Sequence, residues 1–153
     1  MKVKLVAIFI MVGILFTIAL GCGKAEGANI TNDTQKSIEV TIDEFMQNNH
    51  IGKTVELKSG GTLNLILGSN PTTGFSWSEQ AQISDKAILE QTQHQYQEPA
   101  SKDGGTVVGA AGKEVWTFKT LKSGTSEISL GYSRPWEGGE KSEWTLTLNV
   151  TAK

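Results

Sequence analysis

The chain has 153 residues, 38% hydrophobic and 20% charged, a composition ordinary for one globular domain with an appendage. Its 14 basic and 16 acidic residues give a net charge of −2 and are interspersed without a basic patch, which argues against nucleic acid as a partner. The single cysteine, Cys22, excludes an internal disulfide and a Cys-x-x-Cys metal site.

Lys2 and Lys4 precede an apolar run, residues 5–20, relieved only by Gly13 and Thr17. A basic start, a short apolar core and a small residue before a cut describe an export signal, here residues 1–21. The run is shorter than the ~20 residues that comfortably span a bilayer, although a permanent transmembrane anchor is the competing reading. Apolar residues followed by Gly21 and Cys22 resemble the lipobox of bacterial and archaeal lipoproteins, with Ala19 where leucine is commonest. That resemblance implies cleavage before Cys22, lipid on its thiol, and a membrane-anchored protein facing outside the cytoplasm. An acylated Cys22 leaves no thiol for catalysis; a plain cleaved signal is the alternative. Cleavage would remove Lys2 and Lys4 and no acidic residue, leaving 12 basic against 16 acidic residues and a net charge of −4.

Residues 22–36 are rich in Gly, Ala, Asn and Thr and lack periodicity, so they read as a flexible tether. Residues 37–153 read as the folded domain. Ile38, Val40 and Ile42 share one parity, and residues 43–49 allow one helical turn. Val55 and Leu57, then Leu63, Leu65 and Leu67, then Phe75 and Trp77 continue the alternation. So do Trp116 and Phe118, then Ile128, Leu130 and Tyr132, and last Trp144, Leu146, Leu148 and Val150. Alternation at this density predicts strands with one buried face, and short strands between glycine-rich turns predict an all-β antiparallel sandwich or barrel.

Catalytic motifs fail. "GFSWS", from Gly74, lacks the second glycine of a nucleophile elbow and runs into a strand pattern rather than a helix. His50 and His94 are the only histidines, with no orienting carboxylate near either in sequence. His94 sits in the polar run "QTQHQYQEP" and is expected to be solvated. Neither a metal motif nor a suggestive carboxylate pair is present, so the expectation is a protein that is not an enzyme and uses no cofactor.

Three loops carry more information. In "NPTTG", Asn70 is pushed towards extended backbone by the proline that follows, Pro71 fixes φ, Thr72 and Thr73 are stiff at χ1, and Gly74 permits a positive φ before Phe75. The loop is narrow, stiff and uncharged. In "GTVVGAAGKEVWTF", Gly109, Ala110, Ala111 and Gly112 precede a strand, and residues this small let backbone approach another surface. In "YSRPWEGG", Arg134, Pro135 and Trp136 lie between the last two strands, and Trp136 falls outside the alternation. Trp and Arg are favoured interface anchors.

In this order, the three loops resemble those of the chagasin family of cysteine-peptidase inhibitors: an N-P-T-T-G-[YF]-x-W loop, a glycine-rich loop and an R-P-[WF] loop. The resemblance runs over residues 50–153, with residues 38–49 looking like a longer version of the family's first strand region. Ala111 departs from the pattern, where glycine is usual. The resemblance implies an immunoglobulin-like β fold with three loops at one end, and reversible, cofactor-free inhibition of papain-like peptidases by a monomer. Asn70, Pro71, Thr72, Thr73, Gly74 and Phe75 would enter the active-site cleft. Gly109, Ala110, Ala111 and Gly112, and Arg134, Pro135 and Trp136, would grip its sides. The alternative is a non-inhibitory immunoglobulin-like module that turns the same loops on another cell-surface protein.

Overall fold

The computed structural model describes residues 34–99 and 109–153. Two β-sheets enclose one hydrophobic core. The first contains β1 (Gln35–Val40), β3 (Thr62–Ser69), β7 (Gly112–Thr120) and β6 (Leu89–Gln97), in that spatial order. The second contains β2 (His50–Leu57), β9 (Trp144–Ala152), β8 (Gly124–Ser133) and β4 (Ser76–Trp77), with the short β5 (Gln82–Ile83) also on β8. This is the two-sheet immunoglobulin-like architecture that the resemblance implies. β1 begins at Gln35, so the last residues of the expected tether already belong to a strand. Cys22 and residues 1–21 lie outside the described residues.

The alternating residues face inward as expected. Leu63, Leu65, Leu67, Trp116, Phe118, Ile128, Leu148 and Val150 are completely buried. Most neighbouring strands are antiparallel, but β1 pairs with β3 and β2 with β9 in parallel. The cause is α1 (Ile42–Gln47). A six-residue helix is about 9 Å long, close to the ~10 Å between packed sheets. It therefore carries the chain from the first sheet to the second instead of closing a hairpin. Thr41 starts it with a capping box: its Oγ1 accepts from the Glu44 N–H (3.3 Å), and Glu44 Oε2 accepts from the Thr41 N–H (2.8 Å). That Thr41 N–H, helped by Lys53, holds the Glu44 carboxyl below its ordinary value. Ile42, expected to continue the β1 alternation, opens the helix instead and lies over Gly68, where a Cβ would stand 2.7 Å from it.

Alternation missed two strands, the two-residue β5 and the long β6. A bulge between Gln91 and Gln93 shifts its register against β7 and breaks the parity. Its polar residues suit an edge, where they discourage pairing with another chain.

Because β1 runs parallel to β3, α1 lies at the end of the sandwich where β3 gives way to Asn70. Phe45 is fully buried there and begins a column of aromatic rings. It stacks on Trp144 (5.4 Å, 11°), Trp144 on Tyr132 (4.8 Å, 8°), and Tyr132 on Phe75 (5.4 Å, 19°). Trp77 tilts against both Phe45 and Tyr132. Trp144 is only part-buried, yet it occupies the middle of this column. Trp144→Ala is therefore expected to cost about 3 kcal/mol, the lower end for removal of a buried aromatic. Thermal melting checks this, and an unchanged midpoint would mean that the column adds nothing to stability.

Candidate functional site

The "NPTTG" stretch forms a single 3₁₀ turn, Pro71–Thr73. Asn70 caps it: its Oδ1 accepts from the Thr72 N–H (3.3 Å) and the Thr72 hydroxyl (2.7 Å). The Thr73 hydroxyl donates to the Asn70 carbonyl (2.7 Å), and the Gly74 N–H donates to the Pro71 carbonyl (2.9 Å). Both threonine hydroxyl donors are thus used inside the turn. Pro71, Thr72 and Thr73 are nevertheless exposed, so the turn presents a compact, uncharged knob whose shape is set before any partner arrives. Gly74 closes it at φ +81°, a left-handed conformation that other residues adopt at a cost.

The loop between β8 and β9 folds against this turn. A Cβ on Gly74 would stand 2.6 Å from Cη2 of Trp136, so the indole rests directly on the glycine. Trp136 is still 52% exposed. The Arg134 guanidinium lies 4.5 Å above the Phe75 ring and 5.9 Å from the Trp136 ring, within cation–π range, and its Nη1 pairs with Glu140. Lys141 Nζ donates to the carbonyls of Arg134 (2.5 Å) and Trp136 (3.0 Å), and the Arg134 N–H donates to the Glu140 carbonyl (2.8 Å). This loop is therefore internally braced. Between it, the turn and α1 runs an open groove of about 400 Å³, lined in part by Ile42, Thr73, Phe75, Tyr132 and Arg134.

The third loop is described only from Gly109 onward. Asn70 Nδ2 reaches the Gly109 carbonyl at 3.5 Å, a long contact that links this loop to the turn. Ala110 is half-buried and Ala111 exposed, whereas Gly112 is buried. A Cβ on Gly112 would stand 2.4 Å from both the Gln97 carbonyl and the Tyr96 hydroxyl. Its smallness thus serves a close approach to β6, in the frame of the loop rather than on its surface. Partial desolvation, with Glu98 and Glu114 nearby, pushes the Tyr96 phenol above its ordinary value.

All three sequence-derived loops therefore meet at one end, joined by the Trp136–Gly74, Arg134–Phe75 and Asn70–Gly109 contacts. Among the described residues of the three loops, no serine or threonine hydroxyl is paired with a histidine in the manner of a nucleophile and its base; His50 and His94 are engaged elsewhere. His50 Nδ1 lies 2.8 Å from the Thr145 hydroxyl. Among the described residues, no group of three His, Cys, Asp or Glu could hold a metal. The expectation that His94 is solvated is wrong. It is half-buried, 2.9 Å from Glu114 Oε2, and stacked on Trp116 at 4.7 Å. The β6 bulge turns it inward, and β7 brings Glu114 beside it. Glu114 itself went unnoticed, although it shares the inward parity of Trp116 and Phe118. A carboxylate on a core-facing parity was the available signal. Tyr132, whose hydroxyl accepts from the Asn70 N–H at 3.0 Å, was recognised only as core.

The family model described as "Chagasin family peptidase inhibitor I42" matches residues 56–150. Chagasin of Trypanosoma cruzi is 30% identical over 105 residues, 67% of this chain and 92% of chagasin. Amoebiasin-2 of Entamoeba histolytica is 29% identical over 100 residues, 65% of this chain and 77% of its own length. The crystal structure of the cysteine protease inhibitor EhICP2 from Entamoeba histolytica superposes with a TM-score of 0.59 at 26% identity, over 78% of this chain and 97% of that one.

The contact between Trp136 and Gly74 is testable by a double-mutant cycle. Gly74→Ala should lose stability through backbone strain of about 1–2 kcal/mol and through displacement of the indole. In a Trp136→Ala background only the strain should remain. Trp136→Ala alone should melt close to wild type, since half of its surface is already in water. Strictly additive losses would show that the indole does not rest on the glycine.

Proposed function

The chain belongs to the chagasin family of peptidase inhibitors, and we propose that its targets are papain-like cysteine peptidases, blocked by insertion of the Pro71–Thr73 turn into the active-site cleft. The observation that carries this reading is the self-satisfied turn. Its hydroxyl donors are bonded within it, so docking neither strips them of water nor orders a floppy segment. A preformed loop loses little entropy on binding, and the absence of charge avoids a desolvation cost. The 3₁₀ bonds from Thr73 and Gly74 back to Asn70 and Pro71 oppose the extended backbone that peptide cleavage requires, which accounts for a wedge that is not cut. Gly109, Ala110 and Ala111 on one side, and Arg134, Pro135 and Trp136 on the other, grip the cleft walls. Gly112 supports them from beneath.

In this reading the protein is exported and held at the membrane by lipid on Cys22. Each buried CH₂ of such an anchor adds roughly 0.8 kcal/mol. The motif around Cys22 supports it. The wild-type protein should label with lipid and fractionate with membranes, and Cys22→Ser should do neither; labelling that persists in the variant would sink the anchor.

Titration of a purified papain-like peptidase tests the target class. Reversible inhibition at one-to-one stoichiometry is expected, unchanged by reductant or EDTA. Thr73→Arg should weaken it strongly in a folded protein. Trp136→Ala should lose about 2 kcal/mol of binding, the size of a hot-spot truncation, or roughly thirtyfold in the inhibition constant. If both variants inhibit like wild type, these loops are not the inhibitory surface.

A further inference from the structure

The turn crosses from one sheet to the other. It leaves β3 at Ser69 and enters the second sheet at Ser76, on a strand of only two residues whose ladder consists of Ser76 opposite Ser133 and Trp77 opposite Tyr132. This ladder is short: the Ser78 N–H continues it to the Gly131 carbonyl (3.0 Å), and the Trp77 indole N–H reaches back across the turn to the Gly68 carbonyl (3.0 Å), which leaves the Trp77 backbone N–H to find its own acceptor. Beneath the turn lies Glu114, on β7 of the first sheet, 4% exposed. Its Oε1 accepts from the Ser69 hydroxyl (2.7 Å) and from the Trp77 N–H (3.3 Å), while Oε2 lies 2.9 Å from His94 Nε2. The carboxylate oxygen can accept from Nε2 when that nitrogen carries the hydrogen. The His94 ring is fixed in turn by stacking on Trp116.

We propose that Glu114 is the positioning residue of the wedge: one carboxylate oxygen ties the last residue before the turn to the first buried residue after it, and so sets the turn's shape in the free protein. A buried carboxylate is costly unless its lone pairs are satisfied, and here donors from three separate segments satisfy it. An apolar side chain would fill the same space but leave the Ser69 hydroxyl and the Trp77 N–H buried without an acceptor. Glu114 lies beneath the turn and acts through it. Its effect on inhibition rests on the reading of the turn as a wedge; its effect on the turn does not.

Two measurements separate these. The first is amide hydrogen exchange in the free protein. In Glu114→Ala, exchange at Gly74 and Trp77 should quicken at least tenfold while Leu65 and Leu148, in the middle of the two sheets, stay protected. Glu114→Gln retains an acceptor oxygen and should restore most of the protection. Ser69→Ala, which removes one tie and endangers the fold least, should give an intermediate effect. The second is binding kinetics against papain. If the competent turn falls to a tenth of the population, apparent affinity falls tenfold. The loss should appear in the association rate, with dissociation nearly unchanged. Wild-type exchange at Gly74 and Trp77 in the Glu114 and Ser69 alanine variants, or exchange that rises equally in Leu65 and Leu148, would overturn the proposal. A wild-type protein that fails to inhibit papain-like peptidases would instead refute the target class, and exchange would still decide the role of Glu114.

Discussion

The loop-bearing end depends on one stack of rings. Phe75, Tyr132, Trp144 and Phe45 come from the end of the turn, β8, β9 and α1 respectively, and lie nearly parallel at 4.8–5.4 Å. Each such pair contributes about 0.5–1.5 kcal/mol beyond simple burial. Tyr132 and Trp144 are direct cross-strand partners, so the column is built on sheet register and cannot slide without breaking it. Arg134 extends the column outward over Phe75, and the Tyr132 hydroxyl fastens the Asn70 backbone. The exposed indole of Trp136 is thereby connected through side chains in contact to a phenylalanine with no solvent exposure.

This arrangement separates residues that face outward from those that hold them. Pro71, Thr72, Thr73, Ala111, Pro135 and Trp136 are exposed. Gly112, Tyr132, Glu114 and Ser69 are buried behind them. The two glycines that matter most have different tasks. Gly74 supplies a positive φ and room for an indole, whereas Gly112 lets β7 start hard against β6. Among the described residues of the loop between β8 and β9, both cations are held in place. Arg134 is paired with Glu140, and Lys141 is committed to backbone carbonyls.

Strands with unbroken parity were legible in the sequence. Leu63, Leu65 and Leu67, or Leu146, Leu148 and Val150, announce an inner face because side chains alternate along a strand. The loops were legible as well, since "NPTTG" and "RPW" combine residues with few backbone options. Part of what escaped detection depended on contacts distant in sequence, and part on local breaks in the alternation. The β6 bulge destroyed the parity that would have exposed His94 as inward-facing. Ile42 continued the pattern of β1, but the capping box of Thr41 and Glu44 diverted the chain into α1. The pairing of Ser69, His94 and Glu114 joins residues up to 45 positions apart, and no local pattern reports it. The parallel pairing of β1 with β3 and of β2 with β9 was hidden for the same reason, because it depends on which sheet each strand joins.

The direction of β1 has a consequence for display. β1 runs towards Asn70 alongside β3, so Gln35 lies at the blunt end of the sandwich, opposite the three loops. β9 runs the other way from the Arg134 loop, and Lys153 finishes beside Leu57 and Glu56 at that same blunt end. Whatever is joined to the domain at either side, whether a lipid-bearing tether, a bead or a fused protein, attaches at its back. An attachment at Gln35 or Lys153 is thus made at the end away from the three loops, as a handle sits behind a plug.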